Sequence, residues 1–525
     1  MAFTKLAAGV VAAAVMAVAA AQAQTASVSG TVPAPAPRAN VDGGTVVGVQ
    51  QPDGLTVFKG IPYASAPVRD LRWQPPQGVL PWAGDLPADR FAPMCLQQLR
   101  AKNSIFYLGE EASSEDCLYL NVWSTAKPAD RQPVMVFIHG GGWTAGAGSM
   151  PLYSGETLAK KGVVVVTFNY RLGGLGFFAH PELTAEGNGN SGNYGLMDMI
   201  AALKWVKSNI GQFGGDPASI TLYGQSSGAT AISILQTSPL APGLFHRVIG
   251  QSGGYALAGP LPTRAEAEHA GVAAAEKIKA KSLKELRTFG GDTINAIVSN
   301  PRPVVDGVVL TQQPSEVYGA GKQLAMPLLI GSNADEGTAY PVVLNAATFT
   351  DDANKRYGVE AGRLLSLYPA KTDAEAAASS YALMRDRTFA SPMRRWAVQE
   401  ARIAPVYMYH FSRVHPFVDG LGYLQQTPAT AFGAYHGAEM AYAYGTLDVV
   451  NRFSKTREWS EEDRKYSDAM TSYWTSFAKK GDPNTAGQPA WPPYKPEEEQ
   501  VLIFGKDIKP GELPNKAQLD FFKGP

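Results

Sequence analysis

Short runs of continuous apolar residues recur along the chain between glycines and polar turns: residues 133–140 (PVMVFIHG), 163–170 (VVVVTFNY), 219–224 (SITLYG), 247–253 (RVIGQSG), 326–333 (MPLLIGSN) and 406–412 (VYMYHFS). Runs without polar alternation suit strands covered on both faces, the condition of a mostly parallel sheet. Between the second and third runs, Leu196, Ile200, Leu203, Val206, Ile210 and Phe213 recur at spacings of three and four. That stripe predicts a helix laid on the sheet and stopped by Gly214-Gly215. The order strand, helix, strand predicts right-handed crossovers and an α/β fold with a large, mostly parallel central sheet flanked by helices. Two segments, near 254–325 and 337–402, are rich in Ala, Lys and Glu and read as mainly helical insertions, placed to roof a crevice at the carboxyl edge of the sheet.

The first residues break this pattern. Lys5 precedes an alanine-rich apolar stretch that ends in Ala21-Gln22-Ala23. This predicts a secretory signal over residues 1–23 and an exported protein, periplasmic or extracellular, without a membrane span in its mature form. Residues 24–44, mostly Ala, Ser, Pro and Gly, read as a flexible lead-in, and a single domain is expected over 45–525. Lys plus Arg and Asp plus Glu both number 46, which gives no reason to expect a nucleic-acid partner. Export favours a disulfide between the two cysteines, Cys95 and Cys117. No Cys-x-x-Cys or His-Glu-x-x-His spacing occurs, so no metal site is expected.

The stretch 221–230, TLYGQSSGAT, fits Gly-x-Ser-x-Gly in one register only, with Gly224 and Gly228 around Ser226. It lies between an apolar strand and a helical pattern, where a strained turn can present a nucleophilic serine. Serine needs a base, and the base needs an orienting carboxylate. Of the histidines that follow, His410 alternates within a strand and reads as partly buried. His415, beside Pro416 in a polar turn, reads as exposed. His436, in a glycine-flanked loop, is the best candidate base. Asp335 and Glu336 both follow a buried strand, and position alone leaves either as the acid. Gly140, Gly141 and Gly142, at another strand end, can turn backbone N–H groups toward a developing oxyanion.

These residues resemble the type-B carboxylesterase family of α/β-hydrolases. The resemblance runs through FKGIPYASAPVRDLRWQPPQ (58–77), EDCLYLNVW (115–123), NYRLGGLGFF (169–178), FGGDPASITLYGQSSGA (213–229) and YWTSFAKKGDPN (473–484). It implies a Ser226–Glu336–His436 triad, an oxyanion hole formed by the amides of Gly141, Gly142 and Ser227, and a disulfide loop from Cys95 to Cys117. Ser227 stands where family members often carry alanine. The cysteine loop contains no tryptophan, which speaks against a cholinesterase. The expectation is a cofactor-free serine esterase for a small-molecule ester, with Phe106, Tyr107, Trp143 and Tyr340 as candidate pocket residues. Its alternatives are an interfacial lipase and a non-catalytic binding module. Oligomeric state stays open.

Overall fold

The apolar runs build the centre of an eleven-stranded sheet. In spatial order its strands are Ile508–Glu512, Gln500–Phe504, Val406–Phe411, Leu328–Asn333, Arg247–Gln251, Gly215–Gln225, Gln132–Ile138, Val164–Phe168, Tyr119–Ser124, Thr56–Pro62 and Val49–Gln50. Neighbours run parallel from Gln500–Phe504 to Val164–Phe168 and antiparallel beyond either end. This computed structural model describes residues 36–107, 109, 112–256, 259–341 and 345–523. The predicted signal peptide lies outside the described residues, as does most of the lead-in.

Both faces of the central strands are buried, and their side chains divide between two cores. Along Gln132–Ile138, Val134, Val136 and Ile138 enter one, whereas Met135 and Phe137 enter the other. On the first face lies the helix Tyr194–Asn209, which contributes Leu196, Met199, Ile200, Leu203 and Val206. On the second lies Glu461–Lys480, whose Tyr466, Met470, Tyr473, Trp474 and Phe477 recur at helical spacing. Each such side chain contributes roughly 1.5–3 kcal/mol on leaving water. The second helix is also well terminated. Ser460 and Asp463 cap its start reciprocally, acidic residues fill its first turn, and Gly481 closes it at φ 75°.

The sequence expectation differs from the fold at the amino end. Regular structure begins before residue 45, because Arg38–Val41 pairs with Gly44–Val47 as a hairpin and Asp85–Pro87 joins it in a three-stranded sheet. Composition pointed to coil here; the strands are short and hold through pairing and the burial of Ala39 and Val46.

Strand order reverses beside Gln132–Ile138, which lies between Val164–Phe168 and Gly215–Gln225. Crevices in such sheets open outside the carboxyl ends of the strands at a reversal of this kind. His139 to Gly142, Ser226, Ser252 and Glu336 all follow these strand ends.

Candidate active site

Ser226 joins the strand Gly215–Gln225 to the helix Ser227–Leu235 with φ 57° and ψ −130°, a strained conformation for a residue with a side chain. The surrounding packing holds it there. The Ser226 N–H donates to the Gln251 carbonyl at 2.8 Å, and the Ser226 carbonyl accepts from Thr230 at 3.0 Å. A Cβ on Gly224 would lie 2.7 Å from the Ile138 carbonyl, and one on Gly228 would collide with that same carbonyl. The two glycines are therefore required by the neighbouring strand end, which crowds the turn from both sides.

Glu336 and His436 meet. His436 Nδ1 lies 2.5 Å from Glu336 Oε2, and both side chains are buried. The other carboxylate oxygen, Oε1, accepts the Ser252 hydroxyl at 2.6 Å and the Asn333 N–H at 2.7 Å. The adjacent Asp335 points elsewhere. Its Oδ2 accepts the Ala434 N–H at 2.8 Å, which pins the loop that carries His436. Geometry thus separates two carboxylates that sequence position left equivalent.

With Nδ1–H donating to the carboxylate, His436 Nε2 is an acceptor. The Gln225 side-chain nitrogen lies 3.0 Å from it. Among the described residues, the partners of the His436 ring are thus Glu336 and Gln225, and Ser226 Oγ forms no hydrogen bond to it in this resting arrangement. Apo sites are commonly looser than the reacting complex.

Gly141 and Gly142 take φ 114° and 63°, and the backbone fold there excludes a Cβ at Gly141, which would strike the Ala145 carbonyl. The Ser227 amide opens a helix, where N–H groups have no intrahelical acceptor. The Ser227 hydroxyl accepts the Gly142 N–H at 3.0 Å, so the residue that departs from the family's usual alanine touches one of the expected oxyanion donors.

Ser226, His436, Gly141, Gly142 and Ser227 face one cavity of about 890 Å³, which Phe106, Tyr107, Trp143 and Tyr340 also line, with Glu336 buried behind the imidazole. Tyr340 and Phe106 lie 5.4 and 6.4 Å from the His436 ring, centroid to centroid. Trp143 packs edge-on against Phe177, and Tyr107 lies tilted against Phe453. Both insertions reach the cavity, the first through Asn300 and Arg302, the second through Met384, Thr388 and Phe389. Phe389, at 4.5 Å from the His436 ring, sits on a π-helical turn, Arg385–Ala390, which shifts the facing of the residues that follow. Cys95 and Cys117 are bonded, closing the loop that brings Phe106 and Tyr107 to the cavity.

His410 is half-buried in its strand, as its alternation suggests. His415 corrects the expectation of exposure. It is 3% exposed, its Nε2 lies 2.8 Å from the Ala438 carbonyl, and burial, helped by the charge of Arg457, lowers its pKa to about 3. A polar turn beside a proline reads as surface locally, but distant segments cover it. Sequence reading also missed Glu439, which is fully buried behind the site. It accepts from Gln251 and Asn333, and burial, reinforced by the Glu336 charge, raises its pKa to about 7. Among the described residues no group of three or more His, Cys, Asp or Glu side chains is arranged to hold a metal ion.

Comparison with known proteins matches residues 35–522 to the carboxylesterase family. The chain is 38% identical to the fumonisin B1 esterase of Sphingopyxis macrogoltabida, over 90% of this chain and 88% of that protein. It is 34% identical to the para-nitrobenzyl esterase of Bacillus subtilis, over 87% and 92%. A solved PNB esterase structure superimposes with a TM-score of 0.79 at 31% identity, covering 92% of this chain and 98% of the other.

Proposed function

The chain belongs to the carboxylesterase family and is a carboxylesterase of the α/β-hydrolase fold, and from this we propose that it splits small carboxylic esters through Ser226, His436 and Glu336 with an acyl-enzyme intermediate. The observation that carries the reading is the buried 2.5 Å contact between His436 Nδ1 and Glu336 Oε2, which orients an imidazole at the wall of the cavity that Ser226 also lines.

Ser226 Oγ rotates to replace Gln225 at His436 Nε2, gives up its proton there, and attacks the ester carbonyl. Glu336, held by Ser252 and Asn333, keeps the imidazole in the acceptor tautomer and stabilises it once protonated. The carbonyl oxygen, now negative, receives the amides of Gly141 and Ser227 and that of Gly142, which exchanges the Ser227 hydroxyl for the oxyanion. His436 protonates the departing alkoxide, and the alcohol leaves. Water, deprotonated by the same imidazole, then releases the acid from Ser226 and restores the hydroxyl. In this reading the sequence pattern of residues 1–23 directs export, and the folded enzyme works outside the cytoplasm.

The test is hydrolysis of p-nitrophenyl acetate, butyrate and a long-chain ester by the unsubstituted protein, Ser226→Ala and Ser227→Ala. Ser226→Ala is expected to abolish turnover. Ser227→Ala should stay within about tenfold, because its backbone amide remains, whereas loss of one oxyanion donor costs on the order of 10²–10³. Undiminished hydrolysis by Ser226→Ala would remove the serine from its role.

A further inference from the structure

Four cations stand at the cavity wall. Arg100 and Lys102 from the disulfide loop, Arg302 from the first insertion and Arg457 from the turn before the helix Glu461–Lys480 all line it, and no Asp or Glu does among the described residues. Charge alone is a weak argument at a solvated rim, so the weight falls on Arg457, which is 2% exposed.

Its guanidinium is surrounded by neutral groups. Nε donates to His415 Nδ1 at 3.2 Å, Nη1 to the Tyr423 hydroxyl at 2.8 Å and Nη2 to the Tyr435 hydroxyl at 3.2 Å. The Phe417 ring stacks beneath it, 4.0 Å from guanidinium carbon to centroid. His415 adds no charge, because its Nε2–H is taken by the Ala438 carbonyl and burial keeps the ring unprotonated. The other buried arginines behave differently: Arg72 pairs with Glu115, Arg171 with Asp198 and Arg394 with Glu499. Among the described residues Arg457 alone of these four has no carboxylate partner. Burying an arginine without an anion is costly, and a chain that pairs its other buried arginines keeps this one at the wall of the catalytic cavity. His415, Tyr423 and Tyr435 line the same wall.

We propose that the ester substrate carries a carboxylate besides the bond to be cut and that Arg457 receives it. This rests on the esterase reading of Ser226, Glu336 and His436. A planar guanidinium matches a carboxylate in shape, and its remaining N–H groups suit the two carboxylate oxygens. An ester of the same size without the anion leaves the charge unanswered, so selectivity comes from the unmet cation as much as from the ion pair that the carboxylate forms.

The test compares kcat/KM for 4-nitrophenyl hydrogen adipate and 4-nitrophenyl hexanoate, which share acyl length and differ in a terminal carboxylate against a methyl. The expected preference for the adipate ester is about tenfold or more, the scale of one close charge pair at a partly solvated site. Arg457→Gln should lower that ratio. Should it fail to fold, Arg457→Lys, which keeps the charge but loses the planar fork, lowers the ratio by a smaller factor. A purely structural Arg457 would alter both esters alike and leave the ratio unchanged. The inference is overturned if the unsubstituted protein shows no preference or favours hexanoate, or if neither substitution moves the ratio, while hydrolysis itself leaves the esterase reading intact. Failure to hydrolyse either ester, together with failure of a fluorophosphonate to label Ser226, overturns the esterase reading and this inference with it.

Discussion

Glu336→Gln keeps the shape of the side chain but presents an amide where the imidazole N–H needs a carboxylate. The expected result is a loss in kcat of about 10⁴ with little change in fold, the magnitude of a triad left in the wrong tautomer. Asp335→Asn, one residue away, retains an acceptor for the Ala434 N–H and should keep most of the activity. Comparable losses in both variants would contradict the separation of their roles. This pair marks the limit of sequence reading at the residue scale. Ser226 and His436 were legible because glycines flank them and the order along the chain restricts the choices. Glu336 was distinguished by family resemblance, and the geometry supplies the physical reason: one carboxylate reaches the imidazole, and its neighbour ties a loop. Gln225, Ser252 and Arg457 left no such signal, since each acts through a partner far away in sequence, and Asn333 left none because it reaches Glu336 through its backbone N–H.

At the scale of elements, the turn at Ser226 depends on the backbone of a different strand. Gly228→Ala would drive a methyl into the Ile138 carbonyl, with the His139 carbonyl 2.8 Å away. It should sharply reduce soluble, folded protein, and recovery of a fully active, equally stable variant would show that the turn can relax. A second element-level constraint is the buried pair between Arg171, after the strand Val164–Phe168, and Asp198, on the helix Tyr194–Asn209. Two guanidinium nitrogens reach the two carboxylate oxygens at 2.8 and 2.7 Å, and the Arg171 amide adds a third bond at 3.0 Å. Asp198→Asn leaves the guanidinium without its counter-charge and should cost about 3–5 kcal/mol in denaturant unfolding. The central strands and the long helix were legible because apolar runs and three-four spacing are local properties. The amino-terminal hairpin and the antiparallel edges were not: these strands, two to seven residues long, are specified by the partners they pair with, which composition does not reveal.

For the whole molecule, the buried carboxyls set a dependence of stability on pH. Burial raises both Glu439 and Glu400 to about 7 from an ordinary 4.5. The sign follows from linkage: a carboxyl with a raised folded-state pKa contributes stability fully below its unfolded value, and that contribution is lost as pH rises through the folded value. Removing the titration with Glu439→Gln should therefore make the variant compare better with the parent at about pH 8 than at about pH 5, read as the difference in Tm; a constant difference would contradict it. The disulfide acts at the same scale. It closes a loop with a sequence separation of 22, and its removal by Cys95→Ser with Cys117→Ser should cost roughly 3 kcal/mol and loosen the part of the cavity that holds Phe106 and Tyr107. Strand ends, insertions and disulfide loop converge on one hydroxyl, so the most direct measurement is covalent. Folded protein is treated with a fluorophosphonate, digested, and the adduct located by peptide mass. One adduct per chain on Ser226, absent from His436→Ala under the same conditions and matched by loss of esterase activity, is the expected result. Full activity with Ser226 unmodified, or inactivation by an adduct elsewhere, would contradict the assignment of Ser226 as the nucleophile.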